Sequence, residues 1–147
     1  MKYPNLVSLF GRQLFSIIFI LSSASHFNPS TVEYAAQHGV PLASVLVPLS
    51  GIVALVGGLS VLLGYQTRSG AWLLTLFLIP VTLTMHNFWA APDAKAFQVE
   101  SALFLRNVAL LGGALLIGHF GGGPLSLDAL IHPETEIIGL TQPPTNR

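Results

Sequence analysis

Midway along the chain the sequence reads TLTMHNFW, Thr82 to Trp89, and sets a histidine, an asparagine and a tryptophan where an apolar run stops. Histidine exchanges a proton near neutral pH and presents two distinct ring nitrogens. A second histidine, His26, closes another apolar run, and Arg106 with Asn107 interrupts a third in SALFLRNVALL. Arginine and asparagine both donate hydrogen bonds to carbonyl oxygens. His26, His86, Asn87, Trp89, Arg106 and Asn107 thus have the chemistry to hold the head group of a quinone or similar amphiphile. The competing reading is anchorage, because tryptophans gather where membrane helices meet the interface. No catalytic residue is assigned. His26 and His86 are too far apart in sequence to form a metal-ligand signature, so no metal site is expected. The chain has no cysteine, which removes thiolate nucleophiles, disulfides and Cys-ligated clusters. Electrons, if moved, travel on a bound cofactor or a partner.

The elements that must position these residues follow from composition. Of 147 residues, 52% are hydrophobic and 8% charged, and the formal net charge is zero. A soluble domain carries about a quarter charged residues, so this chain cannot clothe a water-facing surface. It also has no basic field to hold phosphates, and no nucleic-acid partner is expected. No charge falls between Arg12 and Glu33, Glu33 and Arg68, Arg68 and Asp93, or Arg106 and Asp128. A spanning helix needs about 20 mostly apolar residues. The expected fold is therefore all-α: an integral-membrane four-helix bundle with helices at about 9–27, 41–64, 70–90 and 101–120. Residues 1–128 form this domain, and 129–147 are expected to be a flexible polar tail.

Lys2, Arg12, Arg68 and Arg147 fall on one side, and Lys95 and Arg106 on the other. That bias places both termini in the cytoplasm and reads Arg12 and Arg68 as orientation anchors. The start of the chain, with LFSIIFIL followed by SSAS, also has the outline of a signal peptide; here it is read as the retained first span.

Lipid gives helices no hydrophobic reason to associate, so small residues must let them approach. Gly51, Ala54, Gly57 and Gly58 share one face of the second span, and Ala109, Gly112 and Gly113 one face of the fourth. Both faces are expected at the bundle centre. VGGLSVLLG in the second span echoes LGGALLIG in the fourth, and histidine ends both the first and third. The echo suggests a weak parallel repeat of two helix pairs.

The topology gathers the ends of spans one and three and the start of span four at one boundary. Glu100 is the acidic residue nearest Arg106 there, but at six residues' separation the two do not share a helix face well.

The pieces GRQLFSIIFILSS (Gly11 to Ser23), His26-Phe27, Gly39-Val40-Pro41, GGLSVLLGYQTR (Gly57 to Arg68), HNFW, FLRN and GGGPLSLD (Gly121 to Asp128) occur in a specific order. In this the chain resembles the DoxX family of small four-helix membrane proteins over about Phe10 to Asp128. The resemblance implies an inner-membrane protein linked to quinone redox chemistry or oxidative-stress defence, with a redox or stress-defence protein as partner. Two departures stand out. His26-Phe27 replaces a frequent lysine-phenylalanine pair, and Ala54 stands where members often carry a glutamate, so no role can rest on a carboxylate there.

The functional expectation is a membrane subunit of a quinone-linked redox or oxidative-stress system. The alternatives are a non-catalytic adaptor or scaffold for a partner enzyme, or a small transporter built by homo-oligomerisation. Whether the chain is an enzyme is left open. Membrane lipid is the common partner of all three readings.

Overall fold

The computed structural model describes residues 4–131. Six helices follow one another: α1 (Pro4–Ser23), α2 (Pro29–Gln37), α3 (Ala43–Leu63), α4 (Thr67–Met85), α5 (Ala94–Phe120) and α6 (Leu127–Ile131). Short 3-10 turns follow α1 at Ala24–Phe27 and α4 at Phe88–Ala90. Four helical stretches, Leu6–Phe27, Ala43–Leu63, Thr67–Ala90 and Ala94–Phe120, are long and apolar enough to cross a membrane. The chain is an all-α, multi-pass membrane protein.

The spans form a row, α1 against α3, α3 against α4 and α4 against α5. Their glycines give the directions. Gly51 abuts Ser23 and His26 while Gly58 abuts Ser16 and Phe19, so α1 and α3 run antiparallel. Gly57 meets Gly70 and Leu74, and Gly70 meets Ser60, which makes α3 and α4 antiparallel too. Phe15 of α1 reaches Gly113 of α5 and closes the ring. Phe19, Ala54, Val61, Ala71, Leu74, Phe77, Leu78 and Ala114 fill the centre. Each half, α1 with α3 and α4 with α5, is an antiparallel pair whose first helix leads into a 3-10 turn beside a histidine. This is the arrangement the sequence echo suggests.

Several details differ from expectation. α2 is an additional helix, started by the Asn28 side chain, which accepts from the Ser30 amide, with Pro29 in its first turn. α5 begins at Ala94 because Asp93 caps it, accepting from Ala96 N at 2.8 Å. Arg106 consequently lies about 18 Å along the helix axis from its first residue, deeper than expected. Of the proposed tail, Ala129–Ile131 belong to α6, and the remainder lies outside the described residues.

The packing face of α5 also differs. Asn107, Ala114 and Gly118 are buried, and Leu110, Leu111 and Ile117 pack on the core. Ala109 and Gly112 fall on the opposite, exposed side, and a Cβ on Gly112 would meet nothing within 4 Å. The small residues of α5 thus do not share one inward face, since one-residue steps of about 100° separate Gly112 from Gly113. Gly112→Ala should raise stability by about 0.5–1 kcal/mol through helix propensity alone. Gly57→Ala, whose Cβ would lie 2.8 Å from Leu74, should lower it. Thermal unfolding of both variants in detergent checks the contrast; equal shifts would contradict the assigned faces.

Candidate functional site

At the boundary away from the chain ends, α4 hands over to a bend at His86. Its Nδ1 lies 2.9 Å from Oε2 of Glu100, which α5 presents nearly two turns beyond its capped start. A carboxylate only accepts, so Nδ1 carries the proton. Tyr34 completes the group from α2. Burial first, then the charge of Glu100 and a hydrogen bond to it, raise its phenol above the ordinary tyrosine value. Tyr34 therefore remains a neutral donor at physiological pH. Its ring stacks on His38 at 4.1 Å between centroids.

An apolar groove of about 480 Å³ lies between α3 and α4, overlapped by α2 and the Val40-Pro41 loop; His86, Glu100 and Tyr34 do not line it. Leu46, Val53, Leu76, Phe77 and Val81 supply the wall, and His26 lines it. Ala35 and Met85, also in the wall, are the sequence neighbours of Tyr34 and His86. The His26 ring is held by Ser22 O, 3.0 Å from Nδ1, and by the Phe77 ring, 5.9 Å between centroids.

The other expected site residues lie elsewhere. Asn87 leads into the second 3-10 turn, its carbonyl accepting from Ala90 N at 2.9 Å. Phe88 gathers Trp89, Phe97 and Phe104 edge-on, and Trp89 remains exposed. Arg106 is exposed on α5, and its Nε and Nη2 both donate to Oδ1 of the buried Asn107 at 3.3 Å. None of Asn87, Trp89, Arg106 and Asn107 lines the groove. The six residues thus divide among a groove, a polar cluster, an aromatic belt and the α5 surface, while Glu100 pairs with His86 rather than Arg106.

A second polar centre occupies the opposite boundary, where the sequence suggested only that Arg12 and Arg68 anchor orientation. Arg12 is 3% exposed, not an interfacial anchor. Its Nη2 donates to Leu125 O at 2.8 Å, while Nε and Nη1 are buried without a hydrogen-bond partner. The glycine run brings the chain back so that Asp128 accepts from Gln66 N at 2.7 Å, Thr67 N at 2.9 Å and Thr67 Oγ1 at 2.8 Å. Asp128 thereby caps α4 and lends negative charge to the buried guanidinium. A pocket of about 400 Å³ opens beside it, lined by Arg68, Gly121, Gly122, Gly123 and Ser126. The sequence signal available was an arginine one turn inside an apolar run.

Comparison with known proteins places these features in context. The chain is 29% identical over 133 residues to the inner membrane protein YqjF of Escherichia coli, covering 89% of this chain and 96% of that protein. It is 26% identical over 123 residues to the inner membrane protein YphA of the same organism, covering 84% and 86%. It is also 29% identical over 77 residues to the ER-derived vesicles protein ERV29 of Saccharomyces cerevisiae, covering 52% of this chain but 24% of that protein. No solved structure matches. A family profile, DoxX, matches residues 7–87, from α1 through the His86 bend. With more than half its length in that match, and all four spans packed as one bundle, the chain belongs to the DoxX family.

Proposed function

We propose that this chain is a multi-pass inner-membrane protein that binds a tailed amphiphile, a quinone first among candidates, as the membrane subunit of a redox or oxidative-stress system. The observation that carries the reading is an apolar groove, lined by His26, whose wall residues Ala35 and Met85 are the sequence neighbours of Tyr34 and His86. Its volume falls within the range of small-molecule sites. The apolar wall suits an isoprenoid or alkyl tail, and the cluster suits a head group that gains and loses protons. His86 and Glu100 share a hydrogen bond of 2.9 Å and are side chains of the kinds that serve as general acids and bases. With no cysteine in the chain, electrons would reach such a molecule through a partner protein. The two Escherichia coli relatives described as inner membrane proteins support the location.

The test is mass spectrometry of protein purified from native membranes in mild detergent, read for small molecules and proteins together. A stoichiometric quinone is expected, depleted when Val81→Trp fills the groove. His86→Ala should retain the tail but lower partner-dependent turnover about 100-fold, the scale of general acid–base catalysis. Phospholipid alone in the groove would overturn the quinone assignment. A tightly held protein with no small molecule would favour the scaffold reading, for which the pocket beside Arg68 and Gly121 offers a docking place.

A further inference from the structure

The polar atoms in the groove wall have a common bias. His26 Nδ1 lies 3.0 Å from the Ser22 carbonyl, which has no proton to give. Nδ1 must therefore carry the ring proton, and in the neutral imidazole Nε2 is left as a lone-pair acceptor. Ser50 already donates its hydroxyl proton to Val47 O at 2.7 Å. Thr84 donates to Pro80 O at 2.8 Å. Both hydroxyl oxygens retain lone pairs. Pro80, another wall residue, has no amide proton, so the Leu76 carbonyl one turn earlier loses its helical donor. Thr31 is the remaining hydroxyl in the wall, and a free hydroxyl rotates to serve either role. The wall is thus rich in acceptors, and its assigned donors are spent on the protein's own backbone.

We infer that the groove selects amphiphiles whose head donates a hydrogen bond, a phenol, hydroquinone or long-chain alcohol, over those offering only a carbonyl or ether oxygen. His26 Nε2 is the specificity-determining acceptor. The inference rests on the amphiphile-binding reading above and adds the protonation character of the head. Its physical basis is asymmetric. A donor head meets a waiting lone pair on His26, whereas a carbonyl head has only the Thr31 hydroxyl to replace its lost water. In a quinone pair the groove therefore favours the reduced, hydroxyl-bearing form.

Two probes of nearly the same shape isolate the effect: 4-dodecylphenol and 4-dodecylanisole, which replaces the phenol proton with a methyl group. Native mass spectrometry of the full chain, titrated with each at neutral pH, gives the bound fraction. Phenol should bind about three- to tenfold more tightly, the scale of one net hydrogen bond. His26→Phe keeps an aromatic ring against Phe77 but removes the acceptor. It should bring the ratio to about one while both probes still bind. Val81→Trp should exclude both. Equal binding of the probes to the unaltered protein, or an unchanged ratio in His26→Phe, would overturn the donor preference and leave the amphiphile reading standing. Failure of both probes to bind, or undiminished binding of both to Val81→Trp, would overturn the groove as a site altogether.

Discussion

Asp128→Ala should lower the stability of the solubilised protein by about 1–3 kcal/mol, the cost of leaving part-buried donors without their acceptor. The carboxylate accepts three bonds at the head of α4. It is also a negative charge acting on Arg12, whose Nε and Nη1 are buried without a hydrogen-bond partner. Removing it leaves the three Gln66 and Thr67 donors without their acceptor and withdraws a negative charge from the buried guanidinium. Asp128→Asn should fall between, since one amide oxygen can replace only part of the bonding. The decisive measurement is a double-mutant cycle with Arg12→Leu, followed by thermal unfolding. With the buried charge gone, losing Asp128 should cost less, and the two changes should be non-additive by about 1–3 kcal/mol. Strict additivity would mean that Asp128 acts only as a helix cap.

Gly64→Ala should be among the most damaging glycine-to-alanine changes at the described positions. Gly64 ends α3 with φ of 72°, a left-handed conformation that costs a residue with a Cβ roughly 1–2 kcal/mol. The added carbon would also collide with Arg12 Nη1 and lie 2.6 Å from Ser126 Cβ. Overpacking of this kind adds about 1–3 kcal/mol, for a total of about 2–5 kcal/mol. Gly39→Ala is the matched control. It has φ of 80° but nothing within 4 Å of the new carbon, so it should lose only the backbone part. Comparable losses in the two variants would show that crowding around Arg12 is not what constrains Gly64.

The four spans were legible because each is an uninterrupted apolar run of bilayer length, a signal that needs no partner to be read. α2 was not legible on that basis, since nine residues leave no comparable run. Its Asn28-Pro29 start is nonetheless a cap-and-proline signature. The start of α5 was misplaced for a related reason: its first turns carry Lys95, Gln98 and Glu100, which hydropathy reads as loop, while Asp93 does the capping. At the site, the shared boundary of His86 and Glu100 followed from topology, but their pairing did not. It depends on how far α5 extends past the apolar run. His26 was singled out correctly as a polar residue at a helix end, yet the groove it lines is made by α3 and α4. Arg12 failed most completely as an anchor because its counter-charge, Asp128, is distant in sequence and arrives only through the glycine run.

That return of the chain has a consequence for biosynthesis. Translation proceeds from the N-terminus, so Arg12 enters the bilayer with the first span while its compensating carboxylate has yet to be made. Every shorter nascent chain carries an unneutralised guanidinium that can still be drawn back toward the headgroups. Completion of the Gly121–Asp128 segment is therefore expected to fix α1 at its final depth. A ribosome-stalled chain ending before Leu125 should keep Arg12 reachable by aqueous reagents, and one extending past Asp128 should not.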